Sequence, residues 1–215
     1  MPLPVVTPMT VDDLDAIMAL ESVCFKDPWT RRMYLADLTQ NELATYLAVR
    51  LPTIVPEAQR SGIADCALRI PAASQSEIRN PKSEIIAYGG FWLMTDEAHI
   101  ATIASHPDWR GCGLGLTLML ALLDVAQAAG ARLSTLEVRA GNIPAQRLYE
   151  KLGFEIAGRR RHYYRDGEDG LIMTTPPLTE PETQARLAAA HTDALRRLKE
   201  RFDETTDNRR LTTDT

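Results

Sequence analysis

Between Ile103 and Gly115 the chain reads Ile-Ala-Ser-His-Pro-Asp-Trp-Arg-Gly-Cys-Gly-Leu-Gly. A strand-like run enters a proline turn, a glycine cluster follows, and a long apolar segment begins. Glycines at such a junction let backbone N–H groups come close to a ligand. The first turn of the helix that follows adds partial positive charge, so the junction suits a phosphate or pyrophosphate. A nucleotide P-loop would end in Gly-Lys-Ser/Thr, and the segment has no lysine. The dinucleotide pattern G-x-G-x-x-G fails in both registers, which would need glycine at Leu116 or Leu118. The competing reading is a glycine turn that holds no ligand.

Two further residues have the right chemistry. Glu137 lies between Leu136 and Val138, so on a strand it points to the face opposite those two. It is a candidate base, set against the reading of a solvated strand charge. Tyr149 falls on a helical stripe with Ala145, Leu148 and Leu152. It is a candidate acid, set against the reading of a core aromatic. His106, next to Pro107, reads as a turn cap rather than a base.

The elements that must position these groups follow from periodicity. Thr10 opens a short helix with Asp13 in capping-box spacing and Leu14, Ile17 and Met18 inward. A second helix follows Thr30, with Met33, Tyr34 and Leu38 inward. Residues 44–50, 85–94 and 99–105 read as strands, and residues 114–130 as an apolar helix stopped by Gly130. A strand at 132–138 and a helix at 143–153 come next, then strands at 154–164 and 171–177 around a turn at Asp166-Gly167. Residues 51–83 carry Pro52, Pro56, Pro71 and Pro81 among polar runs and read as a surface excursion. After Pro176-Pro177, an amphipathic helix is expected over 179–204, started by Thr179 and Glu182. Its inward stripe is Leu187, His191, Leu195, Leu198 and Phe202, and 205–215 is expected to be disordered. The main unit is then 1–178, an α/β fold with a central sheet flanked by helices.

These segments carry a resemblance. Arg110-x-x-Gly113-x-Gly115 matches the R/Q-x-x-G-x-G/A loop of the GNAT acetyltransferases. Asn142-x-x-Ala145-x-x-Leu148-Tyr149-x-x-x-Gly153-Phe154, about thirty residues on, matches that family's later helix. Phe25 to Thr30, Leu136 to Asn142, and Arg160 to Tyr164 with Glu168-Asp169 and Ile172-Met173 resemble the ribosomal-protein-alanine N-acetyltransferases within it. The resemblance covers roughly residues 9–176.

It implies a mixed, mostly antiparallel sheet and acetyl transfer from acetyl-CoA to a primary amine. The coenzyme would lie against Ile103, Ala104 and Ser105, then against Arg110, Gly111, Cys112, Gly113, Leu114, Gly115 and Leu116, with Asn142 nearby. Glu137 would take the amine proton and Tyr149 would protonate the leaving sulfur. A phenol at about 10 lies above a thiol at about 8.5, so it can donate to a departing thiolate. Leu116 stands where a polar or basic residue is usual, and Ser105-His106 replaces a valine-aspartate pair. The implied acceptor is the N-terminal alanine of a small-subunit ribosomal protein. The alternatives are a lysine or small-molecule acceptor, or a non-catalytic acetyl-CoA sensor.

Whole-chain properties fit this reading. A net charge of -5 argues against non-specific nucleic-acid binding and suits a basic peptide partner. Cys24, Cys66 and Cys112 show no paired or metal-ligand spacing, so reduced thiols in a cytoplasmic protein without a metal are expected. The first ten residues lack a secretion-signal pattern, and no run of eighteen uncharged apolar residues suggests a membrane span.

Overall fold

The computed structural model describes residues 3–52 and 84–210. The expected excursion at 51–83 therefore lies almost wholly outside the described residues. Seven strands form one sheet in the order β1-β2-β3-β4-β5-β7-β6. They are β1 Val5–Pro8, β2 Ala44–Arg50, β3 Ile85–Met94, β4 Glu97–Ser105, β5 Leu133–Arg139, β6 Glu155–Arg160 and β7 Gly170–Thr174. The helices are α1 Leu14–Cys24, α2 Arg31–Gln40, α3 Leu114–Ala128, α4 Ile143–Lys151 and α5 Pro181–Arg210. Every neighbouring pair is antiparallel except β4 and β5, which α3 connects as a parallel crossover.

The central strands are apolar at successive positions because both sheet faces are covered. On one face Tyr46, Ala48 and Tyr88 pack with Leu14, Ile17 and Leu20 of α1 and Tyr34 of α2. On the other, Leu47, Val49 and Phe91 pack with α3, and α5 lies outside α3. This double cover explains why α3 is buried nearly all round, from Leu114 through Leu123.

Local chemistry sets the ends of these elements. Asp13 Oδ2 accepts from Thr10 N at 2.8 Å and from Arg50 Nη2 at 2.7 Å, which ties the start of the first helix to β2. Thr30 caps α2 through the Met33 N–H. Between α1 and α2, buried Glu21 accepts the Trp29 N–H at 2.7 Å and both the Tyr34 and Tyr88 hydroxyls. That carboxylate fixes the Phe25–Thr30 turn.

Four expectations need correction, and one strand comes in addition to those expected. Met33 faces solvent at 44% exposure, while Tyr34 fills the core. A strand at Val5–Pro8 adds to the sheet edge, a place that tolerates the flanking prolines. The strand expected over 154–164 stops at Arg160, because Asp169 captures the His162 N–H and His162 turns to φ 52°. The buried stripe of α5 is Leu187, Ala190, Ala194, Leu198 and Phe202, with His191 and Leu195 on its flank. Finally, α5 runs to Arg210, past the helix end expected at 204, and 211–215 lie outside the described residues.

Candidate active site

The parallel pairing of β4 with β5 runs only from Glu97↔Leu133 to Ile100↔Leu136. Beyond it the two strands diverge, while β4 stays paired to β3 up to Ser105. A register shift between Gly90 and Phe91, opposite Ala101, bends β4 at the point of separation. Alternate N–H and C=O groups of residues 101–105 thus face a gap in the sheet rather than a neighbouring strand.

A cavity of about 700 Å³ opens from this fork. Ile103, Ala104 and Ser105 line it from β4, and Arg110, Gly111, Gly113, Gly115 and Leu116 from the turn and the first residues of α3. Asn142, Leu148 and Tyr149 line it from α4, and Cys24 and Phe25 from the end of α1. Gly111 and Gly113 have φ of 79° and 94°, a region that a side chain strongly disfavours, so these positions require glycine. A Cβ on Gly115 would meet Leu148 Cδ1 at 3.3 Å, so glycine also lets α3 approach α4. His106 caps the turn by accepting the Asp108 N–H at 3.3 Å.

Glu137 is one residue past the last β4–β5 pair and does not line this cavity. Its Oε2 is 3.0 Å from His99 Nε2, its Oε1 is 3.3 Å from Arg160 Nη1, and its side chain is 9% exposed. The His99 hydrogen bond holds the carboxyl below its ordinary value; burial opposes this and the charges of His99 and Arg160 assist it. His99 stacks on Trp92 at 6.2 Å, and Trp92 stacks on Trp29 at 6.0 Å. Sequence reasoning missed His99. The signal was present, since period-two alternation puts His99 opposite Ala98 and Ile100, as it puts Glu137 opposite Leu136 and Val138.

Tyr149 is buried against Phe154, and burial drives its hydroxyl well above the usual phenol value. Tyr164 is half-buried, and burial pushes its hydroxyl up to about 12; Arg139 opposes this, and Tyr163 and Glu137 add to it.

The sequence profile of the acetyltransferase (GNAT) family matches residues 14–154. This chain belongs to the GNAT acetyltransferase family. A Bacillus subtilis relative, named as a candidate [ribosomal protein bS18]-alanine N-acetyltransferase, is 32% identical over 166 residues, which cover 77% of this chain and 90% of the relative. The Escherichia coli [ribosomal protein bS18]-alanine N-acetyltransferase is 45% identical over 87 residues, 39% of this chain and 59% of that protein. The crystal structure of the Escherichia coli ribosomal-protein-S18-alanine N-acetyltransferase superposes with TM-score 0.62 at 27% identity, over 84% of this chain and 97% of that one.

Most of the expected GNAT site residues therefore surround one cavity. Glu137, Cys112 and Leu114 do not: Glu137 lies outside its lining, Cys112 and Leu114 are buried in the core, and the Cys112 thiol donates to Trp109 O. Toward this cavity Cys112 and Leu114 can offer only their backbone. Asn142 lines the cavity, but its Oδ1 is engaged by the Ala145 N–H as the cap of α4. Cys24 and Cys112 are free thiols, and Cys66 lies outside the described residues. Among the described residues there is no cluster of three or more metal-ligating side chains, and no helix is long and apolar enough to cross a membrane.

Proposed function

We propose that this enzyme transfers the acetyl group of acetyl-CoA to a protein N-terminus, with the N-terminal alanine of a small-subunit ribosomal protein as its acceptor, in the cytoplasm. Both bS18-alanine relatives support the acceptor by their names. The cavity suits the coenzyme: a fork with open backbone groups leads to a turn whose two positive-φ glycines leave N–H groups accessible. Ile103, Ala104 and Ser105 would flank the pantetheine arm, and the turn from Arg110 to Leu116 would face the pyrophosphate. Acetyl-CoA supplies the activated thioester; the rest of the chemistry is proton transfer by this chain.

The observation that carries the reading is the state of Glu137. A carboxylate held ionised by His99 is ready to take a proton, but its lowered value makes it a weak base. At pH 7 about a tenth of α-amines are already neutral, against roughly a thousandth or less of lysines. A weak base therefore suits an N-terminal amine better than a lysine. Tyr149 remains protonated through the physiological range and is the donor to the departing sulfur. The test is thiol release from acetyl-CoA with paired lysine-containing peptides whose N-terminal alanine is free or blocked. Turnover on the free peptide alone is expected. Equal turnover on both would refute the N-terminal assignment.

A further inference from the structure

The GNAT match ends at residue 154, yet α5, which begins at Pro181, reaches the wall of the cavity. Arg197 of α5 lines the main cavity and also a second one of about 540 Å³ beyond the glycine turn. Arg110 and Gly111 are shared by the two, and Arg196, Arg201 and Glu200 complete the second chamber's charged lining. Four arginines and one glutamate line it; Arg196 pairs with Glu200 and Asp193, and Arg197 with Asp193, which still leaves the arginines in excess. Leu116, which lines the main cavity, offers no charge.

The position of Arg197 is built into the packing. A Cβ on Gly113 would lie 3.1 Å from Arg197 Cβ, so the helix runs directly over the glycine turn. Trp109, in the same turn, stacks on Phe202 at 5.4 Å and 10°, which anchors α5 one turn further on. Asp193 Oδ2 accepts from Arg197 Nε at 2.8 Å and also pairs with Lys151 of α4. That carboxylate orients the guanidinium and leaves its Nη groups for an anion, in the fork geometry that suits phosphate.

We propose that α5 forms part of the coenzyme site, with Arg197 binding the ribose 3′-phosphate of acetyl-CoA in the arginine-lined chamber. This rests on the acetyl-CoA reading above. The backbone N–H groups of the glycine turn can satisfy the pyrophosphate, but the third phosphate needs charged side chains, and α5 brings three of the four arginines. The extension is then a binding element and not only a cover for α3.

The test is a calorimetric cycle with acetyl-CoA and its 3′-dephospho form on the full chain, in wild type, Arg197→Gln, Arg197→Lys and Lys199→Gln. Lys199→Gln removes the same charge from an exposed site on α5 that lines neither cavity. Wild type should prefer acetyl-CoA by about ten- to hundredfold, the worth of one hydrogen-bonded charge pair. Arg197→Gln should lose that preference while binding the dephospho form as wild type does. Arg197→Lys should keep part of it, and Lys199→Gln nearly all. Equal loss for both ligands in Arg197→Gln would mean a packing role and overturn the proposal, as would wild-type indifference to the 3′-phosphate. If wild type binds neither ligand, the acetyl-CoA reading falls and this proposal falls with it.

Discussion

His99→Phe should raise the pKa of Glu137. Phenylalanine retains an aromatic ring against Trp92 but removes the Nε2 group that lies 3.0 Å from Glu137 Oε2. A hydrogen bond to an ionised group contributes about 1.5–3 kcal/mol, and its loss disfavours the ionised carboxylate. Arg160 still faces Oε1 at 3.3 Å, but its own side chain is 54% exposed, so water screens it. Burial, the opposing influence on Glu137, then dominates and moves the carboxyl above its ordinary value. Carboxyl-carbon NMR titration, with the Glu137 resonance assigned by its loss in Glu137→Gln, reads this directly. Stability gives an independent sign. In wild type the depressed carboxyl adds stability above the unfolded value, and that contribution disappears as pH falls through the folded one. The melting-temperature gap between wild type and His99→Phe should therefore be wide at neutral pH and narrow under acid conditions. A Glu137 resonance that titrates at the same or a lower pH in His99→Phe would refute the pairing argument.

Tyr149→Phe should lower turnover by about a hundred- to ten-thousandfold with little change in acetyl-CoA affinity, measured by steady-state kinetics alongside calorimetry. Because Glu137 is ionised throughout, kcat/KM on a free alanine peptide should rise with pH to a midpoint of about 8, that of the peptide's own α-amine. A midpoint that stays fixed when the peptide's amine pKa is changed would contradict this. Gly113→Ala should destabilise the fold by about 1–2 kcal/mol from its left-handed φ alone. The close approach to Arg197 adds to that, and a lowered melting temperature reads the sum.

The sequence made the local chemistry legible. Glycines at 111 and 113 signal a turn that only glycine adopts, and both have positive φ. Alternation around Glu137 gave its face, since the β5 burial pattern alternates strictly. Contacts that depend on register were not legible. The His99–Glu137 pair joins two strands whose alignment is set by the short Glu97–Ile100 seam, which no local pattern encodes. Helical spacing also left the rotation of α5 ambiguous. Leu195 is more apolar than Ala194, but Ala194 is the residue small enough to let α5 close on the Gly113 turn, and it is the one buried. The four-residue β1 carries too few positions for a period to show.

The short parallel seam has a mechanical consequence. Among the described residues it is where backbone hydrogen bonds between strands join the sheet's two antiparallel halves, β1 to β4 and β5 to β7. A molecule wedged into the fork spans both halves and extends that stitching with its own donors and acceptors. Bound as proposed, the coenzyme would act as an eighth strand. The amide hydrogens of residues 101–105 and 137–139 that face the fork, rather than those bonded to β3 and β7, should exchange faster than those of the seam in the free protein and slow most when the coenzyme arrives. On that reading the sheet would be completed only while the enzyme holds the group it transfers.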